Sequence, residues 1–226
     1  MFAVFVNTLT VIIGAGVGLF LHRGIPERLT NALMIALGLC TVYIGIDGAL
    51  VGENSLVTIL AMCIGVAIGE FLDLEGKLNG FSLWIEKRFA KGDGKVSIAQ
   101  GFMTASVLFC IGSMTMVGSL QAGINGDNTM LLTKSTLDLI SSFALATSLG
   151  IGVLLAAAFV LVFEGGLVLL AQYIAPFMTD YVINEITCAG SLIIIAIGLN
   201  LIGLTNIKCA NFLPAIFLPV ILCLFM

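Results

Sequence analysis

Charged residues are scarce in this chain, and histidine is almost absent. Asp, Glu, Lys and Arg make up 10% of the 226 residues, and His22 is the only histidine. An average soluble domain carries roughly 25% charged residues. The sequence has no Walker loop and no glycine-rich dinucleotide fingerprint after a strand. These absences argue against a hydrolase, a metalloenzyme or a nucleic-acid-binding protein, so we expect no catalytic residues, no metal and no cofactor.

Apolar residues take the place of the missing charges. They make up 60% of the chain, and the mean hydropathy is +1.18. Soluble domains usually hold about 45–50% apolar residues, and so few charges cannot coat such a core. The composition therefore predicts an integral membrane protein with an all-α fold. At about 20 apolar residues per spanning helix, the length allows some six to eight spans.

The first apolar run, from Met1 to Leu21, is predicted to stay attached as a spanning helix. A cleaved signal peptide has basic residues before its apolar stretch, whereas here Arg23 and Arg28 follow it. That charge order places the start of the run outside the cytoplasm. The six cysteines form no Cys-x-x-Cys pair and lie mostly inside apolar runs, which is typical of small buried hydrophobes.

The runs predict a single integral membrane domain over 1–226, a transmembrane helical bundle of about eight spans. The fifth run is more polar than the others, so a bundle of seven spans with one re-entrant segment is the alternative. The predicted spans are Phe2–Leu21, Leu29–Leu50, Ser55–Phe71, Ser97–Ser119, Thr129–Ser148, Ile151–Tyr173, Ile186–Leu204 and Phe212–Met226.

Two segments between the spans carry an interfacial pattern. Residues 74–89 place apolar side chains at steps of three and four, with charges mainly on the opposite face, which predicts an amphipathic helix lying on the bilayer. A solvated loop helix is the alternative. The segment Pro176–Glu185 is a second candidate of this kind.

The distribution of Lys and Arg predicts the orientation. With eight spans, eight of the nine basic residues fall in loops on one side, and the exception is Lys134. Because basic loops stay cytoplasmic, both termini are expected outside.

A short internal match suggests an inverted repeat. Ala36–Leu39 reads Ala-Leu-Gly-Leu, and Ala196–Leu199 reads Ala-Ile-Gly-Leu. In the eight-span arrangement these two helices run in opposite directions, as in the inverted repeats of many transporters.

The spacings Gly14–Gly18 and Gly65–Gly69 favour close helix packing over a lining role in a permeation path.

Two polar stretches inside apolar runs are the candidate substrate or ion site. Gly112, Ser113, Thr115 and Gly118 interrupt the fourth run, and an unwound segment there would offer backbone groups to a solute. A kinked packing helix explains the same residues without a site. Lys134 and Asp138 share one face of the fifth run at a spacing of four. A charge inside the membrane costs roughly 2.5–3.5 kcal/mol on insertion scales, so such a pair serves as a site or a structural lock.

Glu164 is the third charged candidate, deep in the sixth run with Gly165 and Gly166 behind it. Burial favours the protonated form of a carboxyl group, so this residue is expected to couple to protons. Asn7 and Asn200 are expected to bond between helices without a role in transport.

The central block resembles a known family of bacterial membrane proteins, the domain of unknown function 554 family. The resemblance rests on Cys110–Asp127, reading CIGSMTMVGSLQAGINGD, and on Lys134, Ser135 and Asp138 after it. Weaker similarity extends over almost the whole chain. Glu164 departs from the family pattern, which has Gln there. The family implies a multi-pass protein of the bacterial cytoplasmic membrane and supplies no settled activity.

The sequence therefore favours a secondary transporter or channel-like carrier of a small ion or polar solute. The rival interpretation is a membrane scaffold or assembly factor that docks a partner or anionic lipid through its basic loop, residues 77–95. The lipid bilayer is the expected partner, nucleic acid is not, and a homo-oligomer is compatible with either interpretation.

Overall fold

The described part of the chain is helical throughout. The computed structural model describes residues 1–22, 27–80 and 98–223, and these contain no β-strand. The helices are α1 (Phe2–His22), α2 (Glu27–Ala49), α3 (Ser55–Leu72), α4 (Ile98–Cys110), α5 (Ser113–Ile124), α6 (Thr129–Leu149), α7 (Ile151–Ile174), α8 (Asp180–Ile202) and α9 (Leu218–Leu222). Two 3₁₀ segments, Ala175–Phe177 and Cys209–Ile216, precede α8 and α9.

Several of these helices have the length and apolarity of membrane spans. In the described ranges, α1, α2, α3, α7 and α8 qualify individually, which makes five. The α4–α5 pair qualifies as a sixth when its two helices, bent by 59°, are taken together. The remaining two predicted spans correspond to α6, which is more polar, and to the short apolar segment Cys209–Leu222. An all-α polytopic bundle is thus confirmed, and the count of eight stays a prediction.

The interruption in the bundle lies in the fourth predicted span, not in the fifth. Gly101 of α4 packs against Leu149, the last residue of α6, and against Gly152 at the start of α7. Gly123 of α5 packs against Val168, close to the end of α7. The α4–α5 pair therefore runs along α7 from one end to the other, as a broken span does. Helix α6 is continuous over 21 residues, about 31 Å at 1.5 Å per residue, and has none of the interruption that a re-entrant segment would show.

Glycines bring the helices together in pairs. Gly14 and Gly18 of α1 contact α6, as their spacing predicts, and Gly65 and Gly69 of α3 contact the 3₁₀ segment Cys209–Ile216. Residue numbers rise together along the α1–α6 contact, so these two helices are parallel. Small residues permit this approach because lipid provides no hydrophobic drive for helix association.

The α2–α8 contact has the opposite direction. Gly38 lies against Gly198, whereas Gly48, ten residues later in α2, lies against Ser191. Residue numbers therefore fall along α8 as they rise along α2, and the two helices are antiparallel. The matched segments Ala36–Leu39 and Ala196–Leu199 lie within this contact.

Side-chain bonds identify which loops share an end of the bundle. Lys208 lies 3.5 Å from Glu70, so the loops after α3 and α8 meet at one end. Asn184 donates to Glu53 at 2.9 Å, which brings the α2–α3 loop to the start of α8 at the other end. This pairing of loops is the one that the eight-span arrangement predicts.

The two predicted interfacial segments have different outcomes. One is wrong, and the other is only partly described. The segment Pro176–Glu185 is no separate interfacial helix, because α8 already begins at Asp180 and buries Glu185. The interfacial helix predicted for 74–89 is described only as far as residue 80, and 74–80 are helical. Its remainder and most of the basic loop lie outside the described residues.

Candidate functional site

Three of the predicted site residues meet in one buried cluster. Lys134 and Asp138 of α6 form a close ion pair, and Lys134 Nζ also lies 3.2 Å from Glu164 Oε1 of α7. The pairing of Lys134 with Asp138 follows from their spacing of four, which places both on one helix face. Glu164 joins them because α6 and α7 fold back on each other at Gly150, whose φ of 72° allows the sharp turn.

Asn7 of α1 completes the cluster. Its Nδ2 amide donates to Asp138 Oδ2 at 3.0 Å and to Glu164 Oε1 and Oε2 at 2.9 and 3.0 Å. The sequence assigned Asn7 an interhelical bond without a transport role. The interhelical bond is present, and it joins the two carboxylates. We name the set Asn7, Lys134, Asp138 and Glu164 the charged cluster.

The charged cluster lies inside the bundle and its charges do not balance. Asn7 and Glu164 have no exposed surface, and Lys134 and Asp138 are each 6% exposed. Two carboxylates face one ammonium, so the fully ionised cluster carries a net charge of −1. One acceptor, Asn7 Oδ1, is buried without a hydrogen-bond partner. A buried charge without a counter-charge is strongly unfavourable, so this arrangement favours the uptake of one further positive charge.

The hydroxyls near the charged cluster are bonded within their own helix. Ser135 donates to the Leu131 carbonyl at 2.8 Å, and Ser142 donates to the Leu139 carbonyl at 3.0 Å. These hydroxyl groups therefore donate to backbone carbonyls of their own helix, and not to the carboxylates of the charged cluster.

The start of α6 is held by a carboxylate outside the spanning helix. Asp127 accepts a bond from the Thr129 amide at 2.9 Å, and that donation lowers the pKa of the Asp127 carboxyl group.

The break between α4 and α5 lies within electrostatic range of the charged cluster. Cys110, the last residue of α4, interacts electrostatically with Lys134, Asp138 and Glu164. The chain leaves the helix only at Ile111 and Gly112, and α5 starts at Ser113. The broad unwound segment predicted over 112–119 is therefore wrong in extent, because α5 resumes its own backbone hydrogen bonds directly after the break.

The predicted solute-facing residues around the break have different surroundings. A methyl group at Gly112 would meet nothing within 4 Å, whereas one at Gly118 would lie 3.2 Å from Leu131 Cγ. Thr115 donates to the Phe109 carbonyl at 3.0 Å and so satisfies a backbone group at the end of α4. The side chain of Ser113 lies outside the description. Gly112 thus belongs to the break, and Gly118 belongs to the α5–α6 contact.

A second buried carboxylate, Glu185, was missed by the sequence reasoning. It has no exposed surface and accepts from the amides of Glu53 and Asn54, both at 2.7 Å. The Thr58 hydroxyl donates to its other oxygen at 3.1 Å. Glu185 therefore satisfies backbone donors at the start of α3, where the helix dipole favours negative charge. A charge near the start of an apolar run was its only signal.

The charged cluster is poorly suited to a transition metal. No group of three or more His, Cys, Asp or Glu side chains with metal-binding geometry occurs in the described ranges. The cluster itself supplies two carboxylates, and an ammonium already lies between them.

The all-helical bundle and its apolar spans define a multi-pass membrane protein. The sequence matches the family described as protein of unknown function (DUF554) over residues 2–224. The chain belongs to this family, which confirms the resemblance seen in its central block.

Two similar proteins come from two different bacteria. The chain is 32% identical over 223 residues to the uncharacterized membrane protein YdfK of Bacillus subtilis (strain 168), covering 97% of this chain and 94% of the relative. It is 30% identical over 217 residues to the uncharacterized protein YqgA of Escherichia coli (strain K12), covering 95% and 92%. No solved structure matches the chain.

Proposed function

We propose that this protein is a secondary transporter or channel-like carrier of a small ion or polar solute, and that the charged cluster is its site. The observation that carries the proposal is the uncompensated charge. Three ionisable side chains from two helices lie inside the bundle with one negative charge in excess. Packing alone does not call for such a set, since apolar residues of similar volume are often neutral or stabilising in place of a buried ion pair.

The break between α4 and α5 supports the same site. A helix interrupted at membrane depth frees backbone groups that must be satisfied by protein or by a water-lined cavity. Here the interruption lies within electrostatic range of the cluster, and a side chain added at Gly112 would enter open space. A solute held at the cluster would therefore lie within electrostatic range of an interrupted helix.

The pairing of helices supports alternating access. Helix α1 contacts α7 at the cluster, α2 packs antiparallel on α8, and α3 packs on the 3₁₀ segment Cys209–Ile216. Such a pairing of early segments with late ones is what an inverted repeat would produce, and it supports the proposed repeat. In this proposal the two halves rock about the shared cluster, in the cytoplasmic membrane and with both termini outside.

The proposal is tested by solute flux into liposomes. Purified protein is first screened by thermal shift against inorganic ions, amino acids and organic acids, and each stabilising solute is then assayed in proteoliposomes. We expect gradient-driven uptake per folded molecule that falls at least tenfold in Lys134→Met. The matched control is Lys208→Met, which removes an exposed lysine from its surface pair with Glu70 and should leave uptake unchanged.

The scaffold interpretation predicts a different result. No solute would then cross faster than in empty liposomes, and the cluster variants would change stability only. That outcome would contradict the proposed transport.

A further inference from the structure

We infer that Asp138 and Glu164 hold a single exchangeable proton between them, which makes the proton the coupling ion of this carrier. The role of the proton in driving transport rests on the proposed function. The sharing of the proton follows from the arrangement of the cluster alone. The proton balances the remaining negative charge of the cluster, and the carboxyl groups of Asp138 and Glu164 receive it.

The two carboxyl groups behave as one unit because they share both of their donors. Asn7 Nδ2 lies 3.0 Å from Asp138 Oδ2 and 2.9 Å from Glu164 Oε1. Lys134 Nζ contacts the same two oxygens. Ionisable groups that interact this strongly lose their protons in steps that belong to the pair, not to either residue. The first proton to bind neutralises the whole cluster, and a second would leave the ammonium without a counter-charge.

The described neighbouring groups offer no other partner for that negative charge. Among the described residues, the ionisable side chains that act on the pair are Lys134 from α6 and Cys110 from α4. Helix α1 contributes only the neutral Asn7. A thiol adds no positive charge, so within the described part of the chain Lys134 is the only cationic side chain that acts on the two carboxylates.

Asn7 Oδ1 is an independent sign that the cluster accepts a hydrogen. This oxygen is fully buried and has no hydrogen-bond partner, although the other end of the same amide bonds both carboxylates. Buried acceptors are nearly always bonded. A protonated carboxyl group carries an O–H donor that an ionised one lacks, so rotation of the amide would give Oδ1 a partner in the protonated state. Asn7 is in this sense a positioning residue that serves both protonation states.

The experiment measures proton binding without any gradient or flux. The protein is reconstituted in lipid and perfused alternately with acidic and alkaline buffer while infrared spectroscopy follows the carbonyl stretch of protonated carboxyl groups. We expect the wild type to gain a buried protonated carboxyl that Glu164→Gln lacks. We expect Asp138→Asn to lack it too, because either amide leaves one carboxylate balanced by Lys134. The double variant should lose no more than either single variant.

Control variants and the opposing outcomes make the test decisive. Cys110→Ser and the exposed Glu70→Gln should keep the band, and melting temperatures identify any variant that fails to fold. Losses that add in the double variant would mean that each carboxyl binds its own proton, and a band unchanged in both single variants would place the proton elsewhere. Either result overturns the inference. A shared proton in a protein without flux in liposomes would instead contradict transport alone.

Discussion

Gly38 of α2 and Gly198 of α8 lie directly opposite each other, and each contacts the backbone of the other. A methyl group at Gly38 would lie 2.9 Å from the Gly198 carbonyl oxygen, and one at Gly198 would lie 2.8 Å from the Gly38 carbonyl oxygen. The relationship is reciprocal. Each glycine is the third residue of its matched segment, Ala36–Leu39 or Ala196–Leu199.

The first prediction concerns this contact. Gly38→Ala should destabilise the protein by ~1–3 kcal/mol, because the new methyl group would also lie 2.6 Å from Ile202 Cγ1 and force the helices apart. Gly16→Ala is the matched control, since a methyl group there meets nothing within 4 Å and alanine favours a helix. Thermal unfolding in detergent measures both. Equal melting temperatures for the two variants would contradict the close approach.

The second prediction concerns the balance of the charged cluster. Lys134→Met should destabilise by ~3–5 kcal/mol, because it leaves two buried carboxylates facing each other. Asp138→Leu should cost less, because Lys134 keeps Glu164 as its partner at 3.2 Å. The double variant should recover only part of the loss, since Glu164 then stays without a cation.

The control for the cluster is the exposed pair of Lys208 and Glu70. Its side chains are 59% and 51% exposed, so Lys208→Met and Glu70→Leu should each change stability by about 1 kcal/mol or less. Chemical denaturation of all these variants gives the comparison. Additive losses for Lys134 and Asp138 would show that the two residues do not interact.

The third prediction separates the two glycines near the break. Gly112→Ala should leave the melting temperature close to that of the wild type, because its methyl group meets nothing within 4 Å. Alanine would at the same time favour closing the break into a continuous helix by about 1 kcal/mol. If the break must stay open for a solute, the same variant should reduce flux. Gly118→Ala should instead lower stability by about 1 kcal/mol through its contact with Leu131. Unchanged flux per folded molecule in Gly112→Ala would remove the break from the site.

The fourth prediction concerns the start of α3. Glu185→Ala should destabilise by at least ~1–3 kcal/mol, because the amides of Glu53 and Asn54 lose their acceptor inside the protein. Glu185→Gln should be tolerated better, since one oxygen remains to accept both amides. Asp180→Ala removes a carboxylate from the first turn of α8 and serves as an exposed control. Thermal unfolding measures the stability of these variants. Equal effects of the two alanine variants would contradict the role of Glu185 as the acceptor for the amides at the start of α3.

The fifth prediction is the orientation in the membrane. In a cysteine-free background, a cysteine at position 127 should react with an impermeant reagent added from outside, and one at position 92 should not. Asp127 is exposed in the loop between α5 and α6, and position 92 lies in the basic loop. Labelling of position 92 from outside would show that the termini lie in the cytoplasm.

Local chemistry was enough to predict the class and most helix bounds. The apolar runs Ser55–Phe71 and Thr129–Ser148 became α3 and α6 within one residue at each end, because a spanning helix depends on the composition of its own segment. The pairing of Lys134 with Asp138 was predictable for the same reason, since a spacing of four places two side chains together on any helix.

Only the tertiary structure joined Asn7 and Glu164 to that pair, buried Glu185 and confined the break to Ile111 and Gly112. These contacts connect residues up to 157 positions apart. In a soluble protein an amphipathic pattern would have shown which face of each helix turns inward. A spanning helix is apolar toward lipid and toward its neighbours alike, so the sequence determined which segments are helices, and only their packing decided which polar side chains meet.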